Sequence, residues 1–431
     1  MRHIRQFFDV RSGEIQPALV MFGFFFSVTA VFQILKPLKK GLFVAHFGAE
    51  RELIAKGINI DVAFAAMIGF TLLYNLFGGR RLVQLLCCGF LVALLIFAEV
   101  VSDMPSGAVN YAFYLFGDLW STVWIATFWA FLNEISTPEQ STRLYGLIGT
   151  GGLLGGMAGS ALVSALVQRY SSQPLILFCA GLTALIWVLA WRADGLARRP
   201  GAVMHYRDTP IRLERIRPGS VLEGARMVMK SKYLLAIVGV LALYEFCSQI
   251  LDFQFSSVLA SSVSGGRNAQ AYLAKVYLAT NILSLGVQLL LTSFLVRRLG
   301  LGAGLLLLPA VIALSSGGFW IEPTLFMGSL LIVSDNSLNY SINQTARETL
   351  YVPTSSDAQY KARAFTNMFM QRVAKGLAIL VSATFIWVGV RWLSPVTILT
   401  ALVWMSVAIF AGRQFQRLAQ SATPFETERV A

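Results

Sequence analysis

Charge is what this chain has least of. Only 13% of its 431 residues are Asp, Glu, Lys or Arg, about half of the roughly 25% usual in a soluble domain. The hydrophobic share is 56% and the mean hydropathy +0.64, which excludes an ordinary water-soluble globule. Histidine is scarce as well: His3, His46 and His205 form no cluster with the four cysteines. Cys87, Cys88, Cys179 and Cys247 all lie in apolar runs and read as small hydrophobes, so neither a disulfide framework nor a metal site is expected. The apolar segments hold no His–acid pair, metal-ligand cluster or nucleophile–base pairing, which argues against a membrane-embedded enzyme, and no cofactor is expected. The glycines 149, 151, 152, 155, 156 and 159 lack the Lys-Ser/Thr that would make them a phosphate loop. Small residues four apart, as in Gly151/Gly155 and Gly155/Gly159, suit tight helix packing instead. The first 14 residues are polar and a span-length run follows, so no cleavable leader is expected.

What the chain has is a series of apolar runs of about 20 residues, the length that crosses the hydrocarbon core as a helix. Runs this long and continuous exclude barrel strands. Twelve spans are predicted, at about 16–44, 54–77, 82–101, 108–133, 142–168, 173–191, 233–260, 270–296, 302–320, 323–346, 362–389 and 393–411. The expected fold is an all-α polytopic membrane protein with two six-helix bundles, residues 1–191 and 233–431, joined by a basic linker at 192–232. That linker holds ten Lys and Arg, from Arg192 to Lys232, and suits anionic lipid headgroups. The net charge of +13 then reflects cytoplasmic loops rather than a nucleic-acid partner. Arg2, Arg5, Arg11, Arg80, Arg81, Arg297, Arg298, Arg413 and Arg417 all fall inside if both termini are cytoplasmic, in a bacterial inner membrane. Arg51 and Lys56, expected in the first outer loop, fit this rule less well. A monomer is expected.

Against this background, cations within spans stand out, because a charge at the bilayer centre costs roughly 2.5–3.5 kcal/mol on insertion scales. Lys36, Lys39 and Lys40 share one helix face at i, i+3, i+4, with Gln33 a turn earlier and a kink expected at Pro37. Arg372 and Lys375 repeat the spacing in span eleven, beside Gln371. Either group forms a cationic wall for an anion, or the first snorkels to an interface and the second pairs with Asp252, Glu245 or Asp335. The intramembrane acids Asp118, Glu99, Glu245, Asp252 and Asp335 are ion-pair partners or proton-coupling sites, and spacing does not decide which. Asn336, Asn339, Asn343 and Arg347 form a polar stripe in span ten that lines either a cavity or a helix seam, with Tyr340 as a stacking surface. Trp120, Trp124 and Trp129 stack on a base or, as membrane tryptophans commonly do, face lipid.

Several of these segments resemble one family. Asp118-Leu119-Trp120, Phe128 to Ser136 and Arg143 to Gly149 are similar to acid-Leu-Trp-Gly, Phe-Trp-x-Phe-Ala-Asn-x-Ile-Thr and Arg/Lys-Phe-Tyr-x-Leu-Phe-Gly of the ATP/ADP translocases of plastids and intracellular bacteria. Ala346 to Pro353 resembles Lys-Glu-Met-Ala-Tyr-Ile-Pro, and Lys361 to Ala364 resembles Val-Lys-Gly-Lys-Ala. Lys375-Gly376 falls where the family has Gly-Lys-Ser-Gly-Gly, and Leu35-Lys36 resembles Thr-Leu-Lys-Asp. The resemblance covers about a third of the chain. It implies a major-facilitator-like carrier that exchanges nucleotides by alternating access, with function carried by Lys36, Asp118, Asp252, Lys361 and Lys375. In span seven the family's Glu-Val-Thr-Trp-Lys-Ser-Lys is replaced by Asp252 to Val258, which keeps the acid and lacks both lysines.

The expected substrate is a nucleotide or related phosphorylated anion. Lys36, Lys39, Lys40, Asp118, Asp252, Asn339, Asn343, Arg347, Lys361, Arg372 and Lys375 are the binding candidates, and Asp118, Glu245, Asp252 and Asp335 the ion-pair or proton-coupling candidates. The alternative is a proton-coupled carrier of another organic anion.

Overall fold

The structure is a computed structural model that describes residues 13–101, 106–198, 218–288, 300–351, 353–354, 362–363 and 365–422. Among these, the regular elements are all helical. Helix α1 (Ile15–Val100) is interrupted at two glycines with non-helical dihedrals, Gly48 (φ 77°) and Gly78 (φ 71°). Left-handed φ costs a side-chain-bearing residue but not glycine, so the chain kinks at single residues and α1 makes three limbs. The expected outer loop at Arg51 and Lys56 is therefore absent, and both residues are helical. Pro37 is carried inside the first limb with no departure from helical dihedrals there.

Helix α2 (Gly107–Ile135) starts on Ser106, whose hydroxyl accepts from the Val109 amide at 3.5 Å. Helix α3 (Pro138–Leu166) opens on a capping box. Thr137 Oγ1 accepts from the Gln140 amide at 3.3 Å, and Gln140 Oε1 accepts from the Thr137 amide at 3.0 Å. Then follow α4 (Ser172–Ala197), the short α5 (Pro218–Lys230), α6 (Lys232–Ser262), α7 (Gly266–Gly286) and α8 (Gly300–Ile321). The polar tenth span is α9 (Leu325–Leu338), a π-helical turn at Asn339–Asn343, and α10 (Gln344–Leu350). The eleventh is a π turn at Thr366–Met370 running into α11 (Gln371–Thr384), and α12 (Leu393–Ala422) ends the described chain. With the limbs of α1 taken separately, these rods correspond to the twelve expected spans.

Eight of the described helices are long and apolar enough to cross a membrane. Large apolar side chains such as Leu76, Ile96, Trp191, Leu314, Ile321 and Leu399 stand exposed on them. On a soluble protein that much bare hydrocarbon would drive association; in a bilayer it is the solvated surface. The protein is an integral membrane protein.

The contacts divide the chain into two compact units. The first comprises Met1–Gly48, Ile58–Leu213 and Val263–Asn281; the second comprises Ala49–Gly57, Glu214–Ser262 and Ile282–Ala431. The units therefore depart from the chain halves at two short pieces. Unit 1 is centred on aromatic packing of α1 against α2. Phe24 meets Phe128 edge-on at 5.2 Å, Phe25 stacks on Phe128 at 4.3 Å, and Phe90 meets Trp120 edge-on at 5.1 Å. Trp120 and Trp124 are fully buried here. That corrects the expectation of lipid-facing tryptophans: the partners across the interface are phenylalanines, and the Trp120 indole donates to the Val28 carbonyl at 3.5 Å. The glycines of α3 lie against α1 as expected for packing. A Cβ at Gly151 would stand 2.6 Å from the Phe22 carbonyl oxygen, and one at Gly159 would stand 2.5 Å from that of Ala30. In unit 2, α6 is central, contacting α9, α11 and α12, while α8 packs along α12.

Candidate functional site

Each unit carries its own polar cluster within apolar helices. In unit 1, Lys39 is buried. Its ammonium forms an ion pair with Asp118 of α2, donates to the Tyr114 carbonyl at 3.4 Å and lies 4.5 Å from the Tyr114 ring centroid. Its path is cleared by Gly117, where a Cβ would stand 2.5 Å from Lys39 Cδ. The sequence Gly117-Asp118 thus supplies both the space and the counter-charge. One turn earlier, the half-buried Lys36 lies 4.2 Å from the Tyr277 ring and 5.8 Å from that of Phe32, a geometry that stabilises a cation without neutralising it. Lys40 is buried. Gln33 reaches Asn281 at 3.5 Å, and Asn281 donates to the Gly156 carbonyl at 3.2 Å and to Ser160 at 3.1 Å. These lysines sit well inside the helix, so snorkelling does not account for Lys39 and Lys40.

In unit 2, Asp252 of α6 is paired with Lys56 of α1's second limb, and Lys56 also lies 3.5 Å from the buried Glu52. The cation that fitted the charge rule poorly is thus neutralised within the protein. Sequence reading missed Lys56 as a partner of Asp252. The available signals were that misfit and the i, i+4 spacing from Glu52. Glu245 pairs with Lys375 at 3.4 Å, with the lysine 43% exposed. Arg372 is half-buried on α11, two residues beyond its π turn.

The polar stripe of span ten is a connected chain rather than a plain α-helical face. Asn339 Oδ1 accepts from Asn343 at 3.0 Å and from Arg347 at 3.2 Å, and the guanidinium lies 5.0 Å from the Tyr244 ring. At 3.6 residues per turn, steps of four drift by about 40°, or about 120° from Asp335 to Arg347. The extra residue in the π turn takes back about 100°, so the stripe stays on one face. Asn336 is outside it, donating to the Ile332 carbonyl at 3.0 Å. Asp335 accepts from Ser248 at 2.6 Å. Lys361 and the Tyr340 side chain lie outside the described residues. Glu99 and Lys275 are exposed.

Near the helix ends, Arg143 makes a two-point contact with Glu14 at 3.0 and 2.8 Å, and Tyr145 reaches Asn133 at 2.5 Å. At the matching place in unit 2, Arg363 pairs with Glu348 at 3.0 Å and lies 4.7 Å from the Tyr351 ring.

Twelve helical rods with charges paired inside them make up the described membrane-spanning part of the chain. The fold is similar to that of the nucleoside transporter NupG, at a TM-score of 0.57 and 14% identity, covering 93% of this chain and 99% of that one. It is also similar to a bacterial homolog of the human lysosomal transporter Spinster, at a TM-score of 0.60 and 12% identity, covering 95% and 99%. The family model TLC ATP/ADP transporter matches residues 106–180, the stretch that contains Asp118. ADP,ATP carrier protein 1 of Chlamydia trachomatis is 21% identical over 85% of this chain and 81% of its own. The plastidic ATP/ADP-transporter of Solanum tuberosum is 20% identical over 96% and 75%, and ADP,ATP carrier protein 3 of Rickettsia bellii 22% over 86% and 86%. The chain is thus similar to ATP/ADP carriers of bacteria and plastids along most of its length.

Proposed function

We propose that this protein moves a nucleotide across a bacterial inner membrane by alternating access, as an exchanger, with both termini cytoplasmic. The observation that carries the reading is the buried ion pair of Lys39 with Asp118, whose acidic member lies in the segment matched by the family model. A buried cation held by one carboxylate is poised to trade that partner for a phosphate oxygen, because charge-assisted bonds to either are comparable. In this reading Lys36, Lys39, Lys40, Arg347, Lys361, Arg372 and Lys375 are the candidates for phosphate contacts. Asn339 and Asn343 supply neutral hydrogen bonds. The acids Asp118, Asp252 and Glu245 hold their cations in place until substrate arrives.

Binding energy that differs between the two access states is what shifts a carrier from one to the other. A substrate that displaces Asp118 from Lys39 provides such a difference, since the released carboxylate must find new solvation. Membrane lipids meet the basic segment 192–232, of which 199–217 lie outside the described residues.

The test uses purified protein in liposomes preloaded with unlabelled nucleotides. Uptake of labelled ATP or ADP is expected, strongly reduced by Lys36→Ala and by Arg372→Ala. If the folded wild-type protein takes up no nucleotide from a panel of mono-, di- and triphosphates, the reading is wrong.

A further inference from the structure

The four candidate proton-coupling acids are not equivalent in the structure. Asp118 is paired with Lys39, Asp252 with Lys56 and Glu245 with Lys375. Asp335, near the middle of its span, is 1% exposed and has no ion-pair partner among the described residues. Its Oδ2 accepts from Ser248 Oγ at 2.6 Å, and its Oδ1 is buried with no donor among the described residues. The ionisable groups acting on it among the described residues are Glu245, Cys247 and Asp252 from α6 and Arg347 from α10. Both acids are paired elsewhere, and Arg347 is engaged with Asn339 and the Tyr244 ring. Helix α8, which packs on α9, has no ionisable side chain.

An ionised carboxylate here would forgo hydration that one hydroxyl cannot replace. The neutral acid suits the place, and Ser248 serves either form: its hydroxyl donates to a carboxylate or accepts from a carboxylic acid. Asp335 also begins the aligned face that continues through Asn339, Asn343 and Arg347, so a change in its charge acts on the stripe that the carrier reading assigns to substrate.

We propose that Asp335 is a transported-proton site, through which net uptake of the nucleotide is coupled to proton flux in the same direction. The O–H bond formed on one side of the membrane takes its proton from bulk water there. The same bond breaks after reorientation and returns the proton to bulk water on the other side, and no other bond is made or broken. The inference rests on the carrier reading and adds to exchange a second, net mode.

The experiment compares uptake of labelled ATP or ADP into liposomes with a one-unit pH gradient, acid outside, against uptake at equal pH. With one proton per substrate, accumulation rises by up to about tenfold for the wild type, and an entrapped pH dye reports acidification. In Asp335→Asn the ratio of the two uptakes falls to one. Infrared spectra of the wild type show the carbonyl stretch of a protonated carboxylic acid that is missing from the variant. Wild-type exchange with a ratio of one and no dye response overturns the proton site and leaves the carrier reading standing. Absence of that carbonyl band from the wild type overturns the site even if the variant does not fold. Absence of nucleotide uptake in every mode removes the carrier reading, and the coupling falls with it.

Discussion

The two units solve the problem of a charge inside a membrane helix in opposite ways. Unit 1 buries a cation, Lys39, and brings it a carboxylate, a carbonyl oxygen and an aromatic face. Unit 2 buries an acid, Asp335, and brings it one hydroxyl. Its other acids, Asp252 and Glu245, are paired with cations on neighbouring limbs and helices. A paired ion stays an ion, whereas an acid with one neutral partner is poised to change its protonation state. In the proposed reading the contrast separates a place that holds an anionic substrate from a place that loads a proton, although both read in the sequence as charges within spans.

The largest effect should come from breaking the pair in unit 1. Lys39→Ala leaves Asp118 without its ammonium and is expected to lower stability by about 3–5 kcal/mol, the usual cost of removing one partner of a buried pair. Thermal unfolding in detergent measures this, and the Lys39→Ala/Asp118→Ala double variant should recover stability without recovering uptake. Equal stability of the single variant and the wild type would show that the pair is not structural.

Next comes the glycine seam beneath that cluster. Gly159→Leu forces side-chain atoms towards the Ala30 carbonyl and should cost about 1–3 kcal/mol or more as overpacking. The loss should appear as a lower yield of monodisperse protein. Gly181→Ala, at a position with no neighbour within 4 Å of a new Cβ, is the control and should be silent.

Lys56→Ala probes unit 2 at the pair that the sequence did not reveal. A tenfold fall in the initial rate of uptake, about 1.4 kcal/mol, is expected, with partial return in Lys56→Ala/Asp252→Asn. No change in either variant would reduce the pair to packing. The smallest effect belongs to the exposed clasp at the end of α10. Arg363→Ala removes a pair in which both side chains are more than a third exposed. It should change stability by no more than about 1 kcal/mol, read from the same unfolding assay.

Much of this was legible from the residues. Apolar runs of span length gave the helices, since hydrocarbon accepts only backbones whose hydrogen bonds are closed within the segment. The glycines of α3 announced close packing by their spacing, and Asp118 with its Leu-Trp neighbours pointed to the family. The bends at Gly48 and Gly78 were harder to see. A one-residue kink looks like a short loop when only hydropathy is read, and so Arg51 and Lys56 were expected outside the helices. The tryptophans were misjudged because position along a span says nothing about which way a ring turns; Trp120 and Trp124 face phenylalanines across a helix interface.

By itself the sequence determined that this is a helical membrane protein with charged groups within its spans, because length, hydropathy and spacing are local properties of the chain. Only the tertiary structure decided which of those charges meet. Lys39 with Asp118, Lys56 with Asp252, and Asp335 with Ser248 alone are pairings between residues separated by 79, 196 and 87 positions. The partner of a charge is set by which helices pack side by side and how each is rotated, and a one-dimensional pattern carries neither.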